Sequence, residues 1–339
     1  MQEIVMEITK YVRFVLMNSN SASDTSEIQG IEGIKGIRGV QAKFATYDEK
    51  IRNGTIGAMR IVVGILWLAN VEWKRPGDFG KDLGNGLYKY VNSAIENPVF
   101  GPYSWFVENV VVKNYTLFGW ITLITEVLLA ALLILGLFTR AAALVGAGMS
   151  VSILLSVLYY DKVYEWPWSY FLMIAIHLFV FATAAGQFWG LDGTKTRGTY
   201  KKAATTLGVV AIVAGVLGLI VARNIDFTGK QGALLGWAKW ELKVLWFNPL
   251  SAIITALLGV VAVAATRMPR SVVAWIPAGA FGLMTLQVLV QWRYNRGQWT
   301  GGIFGGTGGT MAFWLLLAIG FAFCARGESR TEESLPVSK

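Results

Sequence analysis

Long apolar runs separated by short polar connections dominate the chain. A helix that crosses a bilayer needs roughly 20 consecutive and mostly apolar residues. Runs near that length predict eight membrane-spanning helices, at about residues 55–73, 115–138, 140–160, 169–190, 203–222, 249–267, 271–291 and 310–326. The pattern therefore predicts an all-α, polytopic membrane protein.

The two ends of the chain are polar. Residues 1–52 include the run SNSASDTS at 19–26 and the glycine-rich run GIEGIKGIRG at 30–39. Segments of this kind bury too little apolar surface to offset the entropy lost on ordering. We therefore predict a flexible N-terminal tail over residues 1–52 and a polar C-terminal tail over residues 328–339.

The apolar runs also show an internal similarity. Residues 129–146 read LAALLILGLFTRAAALVG, and residues 256–273 read ALLGVVAVAATRMPRSVV. Each long apolar helix reaches Thr-Arg, and another span begins at once. This predicts two four-helix bundles, a first half at residues 53–192 and a second half at 193–327. The alternative is that hydrophobic helices resemble one another without duplication.

Composition supports the membrane assignment. Hydrophobic residues make up 54% of the chain and charged residues 15%, whereas a soluble domain carries about 25% charged residues. The formal net charge of +9 does not predict a nucleic-acid partner, because no basic stretch is interleaved with aromatic residues on a soluble face. Membrane lipid is the expected surrounding partner.

Positive charge at the ends of the spans predicts the topology. Lys and Arg near short cytoplasmic connections orient a membrane protein, and the most compact cluster lies between residues 195 and 202. We therefore predict a multi-pass protein of the plasma (inner) membrane with both termini in the cytoplasm. The opposite connections are longer and rich in tryptophan, as at a membrane interface.

The chain has one cysteine, Cys324, and one histidine, His177. An iron–sulfur cluster bound by four thiolates is excluded, as is a haem bound by two histidines of this chain. A structural zinc site is not expected either, because it needs several Cys and His ligands. We predict no bound metal, haem or iron–sulfur cluster.

Two segments resemble the DoxX/DoxD family of four-helix membrane proteins. In the first span, Arg60, Gly64, Trp67 and Lys74 occur in the family order. The next span carries Glu126 and runs into a Gly-Leu-Phe-Thr-Arg turn at 136–140, where Thr139 and Arg140 belong to the motif. The resemblance covers about residues 55–190, and residues 203–326 look like a degenerate second bundle of the same type.

The resemblance implies a function. DoxD is the membrane subunit of a thiosulfate:quinone oxidoreductase, with DoxA as its partner subunit. The resemblance therefore implies that this chain is a membrane subunit of a quinone-linked oxidoreductase. It implies quinone as a candidate substrate, and other membrane-complex or soluble redox subunits as partners. Two alternatives stay open, a non-catalytic accessory subunit of a larger respiratory or photosynthetic complex and a small-solute transporter. Few polar interior residues and the lack of obvious discontinuous helices speak against a transporter.

Glu126 and His177 are the candidate catalytic residues. A carboxyl group at the centre of a membrane helix costs roughly 2.5–3.5 kcal/mol, and such residues usually mark a pathway or a site. His177 lies at a similar depth in the fourth predicted span, and imidazole titrates near neutral pH. We therefore expect the two side chains to pair and relay a proton to a quinone. The alternative is that each is satisfied by structural hydrogen bonds.

Three basic residues complete the candidate set. Lys74 and Arg75, where the first span ends, are candidates for attracting an anionic substrate such as thiosulfate, although interfacial anchoring explains them equally. Arg60 lies within the first span. We expect its side chain to snorkel to the near surface, with pairing to a carboxylate as the alternative.

Overall fold

The computed structural model describes the backbone of most of the chain and, within it, most side chains from residue 45 onward. The described ranges are 26–74, 76–160, 167–229, 232–237, 242–268, 272–295 and 298–333. The chain divides into two compact units, Met1–Asn53 and Gly54–Lys339. The second unit extends across the predicted boundary between residues 192 and 193.

Helices account for nearly all of the regular structure. In chain order they are α1 Ser26–Val71, α2 Gly86–Glu96, α3 Gly101–Phe106, α4 Tyr115–Leu135, α5 Thr139–Val157, α6 Pro167–Ala182, α7 Leu191–Arg197, α8 Tyr200–Val221, α9 Pro249–Ala265, α10 Trp275–Gln291 and α11 Gly308–Glu333. A π-helix at Val107–Val111 and a 3-10 helix at Val112–Asn114 join α3 to α4. Shorter 3-10 turns lie at Ala185–Gln187, Val272–Ala274 and Gly302–Phe304.

Five helices in the described ranges are long and apolar enough to cross a membrane. They are Ala45–Val71, Gly101–Leu135, Thr139–Val157, Tyr200–Val221 and Gly308–Gly327. The other predicted spans correspond to the shorter apolar helices Trp168–Ala182, Pro249–Ala265 and Trp275–Gln291. At 1.5 Å per residue these reach about 23–26 Å, less than the roughly 30 Å hydrocarbon core. The protein is thus a multi-pass, all-α membrane protein, and the count of eight spans stays a prediction.

Two features differ from the sequence expectation. Helix α1 begins at Ser26, within residues 1–52, for which the sequence predicted a flexible tail and no helix joined to the first span. Extending an existing helix costs far less than nucleating one. Two antiparallel hairpins also occur, β1 Ala233–Trp237 with β2 Leu242–Phe247, and β3 Trp292–Asn295 with β4 Gln298–Gly301. Their strands of four to six residues are too short to register in a search for membrane-length apolar runs.

Glycines let the helices approach closely. A Cβ atom on Gly208 of α8 would lie 2.9 Å from the Gly259 carbonyl oxygen of α9, and one on Gly259 would lie 2.6 Å from the Gly208 carbonyl oxygen. Small residues at such crossings are typical of membrane helices. Helix α11 is the most buried of the candidate spans. A Cβ atom on Gly320 of this helix would lie 3.0 Å from a side-chain carbon of Leu135 in α4.

Candidate functional site

Glu126 lies in the middle of the apolar helix α4 and is 1% exposed. Its Oε2 atom lies 2.9 Å from Nζ of Lys74, which is also 1% exposed. Lys74 follows the C-terminal end of α1, and its backbone N–H donates to the carbonyl of Val71. The fold therefore brings together a carboxylate and an ammonium group that are distant in sequence and that would each be costly to bury alone.

Asn70 and Trp73 complete this group. Asn70 Nδ2 donates to Glu126 Oε1 at 3.0 Å, and the Asn70 carbonyl accepts from Lys74 Nζ at 3.3 Å. Trp73 Nε1 donates to Asn70 Oδ1 at 2.8 Å, and the Trp73 ring centroid lies 3.5 Å from Lys74 Nζ. We call Asn70, Trp73, Lys74 and Glu126 the Lys74 site.

The charges within the Lys74 site are matched, but their hydrogen bonding is incomplete. Glu126 Oε1 accepts from Asn70, whereas Glu126 Oε2 faces Lys74 at ion-pair distance without the angle of a regular hydrogen bond. Among the described residues this oxygen has no other hydrogen-bond partner. A carboxylate has about four acceptor positions. Glu126 Oε2 therefore retains the capacity to accept one further hydrogen bond or a proton.

The same turn of α1 also contacts the second half of the chain. Glu72 Oε2 accepts from Thr307 Oγ1 at 2.6 Å and from the backbone N–H of Gly309 at 3.0 Å. Both donors lie at the N-terminal end of α11, where backbone N–H groups lack helical partners and the helix dipole favours a negative charge. The last helix thus anchors the turn that carries Asn70 and Lys74.

His177 does not pair with Glu126. Trp67 Nε1 donates to His177 Nε2 at 2.9 Å, and His177 Nδ1 lies 2.6 Å from the Met173 carbonyl oxygen. Because an indole can only donate, Nε2 is the acceptor, and the proton is assigned to Nδ1. A Cβ atom on Gly146 would lie 2.2 Å from Nε2, so the ring fits only against glycine.

The expected Glu126–His177 pair is therefore replaced by two separate pairings. In the described part of the chain, no hydrogen bond or ion pair joins the two side chains, and both ring nitrogens of His177 are used. Similar predicted depth in the membrane only predicts that two residues lie at one level along the bundle axis. It does not determine the direction in which each side chain leaves its helix, and neighbouring helices set that direction.

Arg60 is fully buried, so the expectation that it snorkels to the surface is wrong. Its guanidinium donates to the carbonyl of Leu133, to that of Ile134 at 2.8 Å, and to those of Trp189 at 3.1 Å and Phe188 at 3.3 Å. The first two carbonyls end helix α4, where oxygens lack helical partners and the dipole favours a cation. Arg60 is thus a structural cap for α4.

The Gly-Leu-Phe-Thr-Arg motif forms the turn between α4 and α5. Gly136 has φ +65° and Phe138 has φ +49°. The Asp192 carboxylate accepts from the backbone N–H groups of Phe138 at 3.0 Å and Thr139 at 3.1 Å. Thr139 is buried, whereas Arg140 is exposed with its guanidinium 5.9 Å from the Phe181 ring centroid. The turn lies about nine residues, or roughly 13 Å along α4, from Glu126.

Of the predicted site residues, the structure brings together Lys74 and Glu126 and separates them from Arg60, Thr139 and Arg140. Arg75 lies outside the described residues. Sequence reasoning missed the roles of Asn70 and Asp192. A signal for Asn70 exists, because Asn70 and Lys74 are four residues apart and therefore lie on one face of a helix. Nothing local indicates Asp192, which caps a helix 53 residues earlier.

No group of three or more His, Cys, Asp and Glu side chains within the described ranges is placed to hold a metal ion.

The fold and the site thus define a multi-pass membrane protein with a buried ion pair between the end of α1 and the middle of α4. Residues 56–220 match the family model described as TQO small subunit DoxD. The chain is therefore assigned over these residues to the DoxD-like family. The match includes the Lys74 site, Arg60 and the Gly-Leu-Phe-Thr-Arg turn, and it continues through α8. Comparison with curated proteins and with solved structures returns no match.

Proposed function

We propose that this protein is the membrane subunit of a quinone-linked oxidoreductase and that Lys74 and Glu126 carry a proton to or from the quinone. The observation that carries the proposal is the ion pair at 2.9 Å, buried within a span of otherwise apolar residues. The match to the DoxD model supports the same class of protein. Ionisable residues within membrane helices commonly mark proton routes.

The chemistry needs a proton donor near the quinone. Reduction of a quinone to a quinol takes up two electrons and two protons. The electrons would come from a reductant bound by a partner subunit, and thiosulfate is the reductant that the family name favours. Lys74 would donate a proton as a general acid, and the Glu126 carboxylate would lower the cost of keeping Lys74 charged until then.

The surroundings of the pair fit a route better than a purely structural role. Trp73 is 38% exposed and covers the ammonium group of Lys74, so the site lies one side chain away from the surface. Replacing a buried ion pair by apolar residues of similar volume is often neutral or stabilising. Stability alone is therefore a weak reason to keep such a pair. Lys74 is also too deeply buried to capture an anion directly from water.

His177 takes a different role from the relay expected from the sequence. Its hydrogen bond to Trp67 connects α6 with α1, and its contact with the Met173 carbonyl, four residues earlier in α6, fixes the imidazole ring. We therefore assign it to positioning α1, the helix that also carries Asn70, so that the Lys74 site keeps its geometry.

The decisive experiment combines single and double variants. Native membrane vesicles, which contain the full chain together with its partner subunits, would be assayed for reduction of a soluble ubiquinone analogue with thiosulfate as reductant. We expect Lys74→Met and Glu126→Leu each to abolish turnover. The double variant should regain thermal stability, because no charge is left unpaired, and should remain inactive. Thr255→Val, a buried polar change in the second half, is the matched control and should remain active.

Two outcomes would overturn the proposal. Turnover that returns together with stability in the double variant would make the pair purely structural. Wild-type vesicles that lack turnover, while the purified protein retains other membrane subunits, would favour an accessory role in a larger complex.

For topology we propose that both termini are cytoplasmic and that the protein lies in the plasma membrane. Support comes from Lys195, Arg197, Lys201 and Lys202 in the connection around α7. A protease added outside intact cells should then leave residues 18–50 uncut. Cleavage in that segment under these conditions would show that the N-terminus lies outside the cell.

A further inference from the structure

A cleft opens beside the turn between α4 and α5, at the end of the bundle opposite the Lys74 site. Its volume is about 330 Å³. The residues that line it are Phe138, Thr139, Arg140, Ala141, Ala184, Gln187 and Asp192. The cleft lies where two membrane-spanning helices end and begin, so it is at the level of lipid headgroups.

Polar groups of opposite charge line the cleft. Arg140 is exposed on the first turn of α5, and Asp192 lies opposite the backbone N–H groups that begin this helix. Each Asp192 oxygen accepts one of these N–H groups, which leaves acceptor positions on both oxygens. The cleft therefore presents an exposed guanidinium and a carboxylate with remaining hydrogen-bonding capacity.

Thr139 adds an unsatisfied hydroxyl. The residue is 1% exposed, and its Oγ1 atom has no hydrogen-bond partner among the described residues. Buried polar atoms of this kind are rare, and each calls for an explanation such as a ligand or ordered water. Because Thr139 lines the cleft, a bound molecule could supply the missing partner.

Gly186 packs tightly behind Thr139 and Asp192. A Cβ atom on Gly186 would lie 2.1 Å from Thr139 Oγ1 and 2.3 Å from Asp192 Oδ2. Any side chain at this position would therefore collide with both polar groups. Glycine at this position therefore allows Thr139 and Asp192 to lie close together at the wall of the cleft.

An apolar surface leads away from the cleft along α5. Phe138 on the rim is 67% exposed, Leu144 and Val145 are each 49% exposed, and Val151 is 40% exposed. On a membrane-spanning helix these side chains face acyl chains. A molecule that fits both surfaces has a polar head with two charges and a hydrocarbon tail.

We propose that this cleft binds a zwitterionic phospholipid with a primary ammonium group, such as phosphatidylethanolamine. Arg140 pairs with the lipid phosphate, as guanidinium groups commonly do. Asp192 accepts a hydrogen bond from the ammonium group, Thr139 Oγ1 bonds the headgroup, and the acyl chains lie along Leu144 and Val145. The site is independent of the Lys74 site and of the proposed quinone chemistry.

This arrangement predicts selectivity among lipids. Phosphatidylcholine carries a quaternary ammonium that cannot donate a hydrogen bond to Asp192. Phosphatidylglycerol has no ammonium group, so its headgroup would offer Asp192 no cationic donor. The Thr266-Arg267 turn in the second half provides a contrast, because the cavity beside Thr266 holds only about 20 Å³ and cannot accept a headgroup.

The test uses the full chain purified in mild detergent and supplied with phosphatidylethanolamine, phosphatidylcholine and phosphatidylglycerol in equal amounts. Bound lipid is identified by native mass spectrometry. We expect phosphatidylethanolamine to be retained preferentially. Arg140→Gln should weaken its binding by roughly tenfold, since a charge-assisted hydrogen bond is lost. Asp192→Asn should abolish the preference over phosphatidylcholine, with thermal unfolding measured in parallel to confirm the fold.

Arg267→Gln is the matched control, because it removes an exposed arginine from the corresponding turn and should leave binding unchanged. Equal losses in Arg140→Gln and Arg267→Gln would show nonspecific attraction and overturn the proposal. Equal retention of phosphatidylglycerol and phosphatidylethanolamine would do the same. Glycerophosphoethanolamine, which has the headgroup without acyl chains, should compete only weakly, and binding as strong as that of the lipid would exclude a lipid site.

Discussion

Glu126 in the first half and Thr255 in the second half are each buried inside a membrane helix, but they differ in how they are satisfied. Glu126 forms an ion pair with Lys74 and accepts from an amide. Thr255 accepts a hydrogen bond from Trp314 Nε1 at 3.2 Å, and both residues are fully buried. The first half therefore buries opposite charges where the second half buries neutral partners.

The difference extends beyond this pair. In the described part of the chain, the buried charged side chains are Arg60, Lys74 and Glu126, all in the first half. The buried polar side chains beyond residue 200 are neutral: Asn248, Ser251, Thr255, Thr307 and Thr310. Neutral hydrogen bonds can hold helices together at little desolvation cost, whereas buried charges are retained at a cost that usually reflects function. This contrast supports the proposal that the chemistry belongs to the first half and that the second half is support.

The largest effect is expected from unpairing the buried charges. Glu126→Leu should reduce the free energy of unfolding by roughly 3–5 kcal/mol, because it leaves the Lys74 ammonium buried without the opposite charge of Glu126. Thr255→Val should cost only about 1–3 kcal/mol, since it leaves one neutral donor unsatisfied. Thermal unfolding of both variants in the same detergent measures the contrast. Equal losses would break the distinction between the halves.

Arg60→Met should produce the next largest effect. It leaves the last carbonyls of α4 without their donor, at about 1–3 kcal/mol for each buried group, while also removing a buried charge. Arg267→Met, an exposed change, is the control and should have almost no effect. A melting temperature for Arg60→Met close to that of the control would show that water replaces the guanidinium.

Glu72→Ala tests the connection between the halves. It removes the acceptor at the N-terminal end of α11 and should cost about 0.5–2 kcal/mol, as for the loss of a helix cap. Glu108→Ala, at an exposed position in the π-helix, serves as the control. Hydrogen exchange should show faster opening at the start of α11 in Glu72→Ala alone. Unchanged exchange there would mean that the two halves hold their positions independently.

The smallest effects concern the two buried tryptophans. Trp314→Phe removes the hydrogen bond to Thr255, and Trp67→Phe removes the hydrogen bond to His177. Each should cost about 0.5–1.5 kcal/mol as a neutral hydrogen bond. Thermal unfolding should show similar losses, which would place His177 with the neutral supporting contacts. A loss of quinone-linked turnover in Trp67→Phe at preserved stability would return His177 to the proton route.

Several features followed from the sequence alone, because they depend on composition and local order. Long apolar runs can be stable in a bilayer only as helices, since every backbone group must be paired within the segment. The apolar helices could therefore be predicted. The DoxD-like segment could be predicted as well, because its motifs are short and contiguous in sequence. Glu126 was also identifiable, because a carboxyl group in an apolar run is conspicuous wherever the helix packs.

Only the tertiary structure decided which side chains pair. The sequence predicts a similar depth for Glu126 and His177, but Glu126 pairs with Lys74 and His177 pairs with Trp67. Arg60 looked able to reach the surface, yet the end of α4 supplies carbonyl oxygens closer to it. Helical periodicity determines the depth and the face of a residue, whereas the rotation and contacts of each helix depend on neighbours that are remote in sequence. Glu72 and the start of α11 meet across more than 230 residues, a contact that local pattern does not encode.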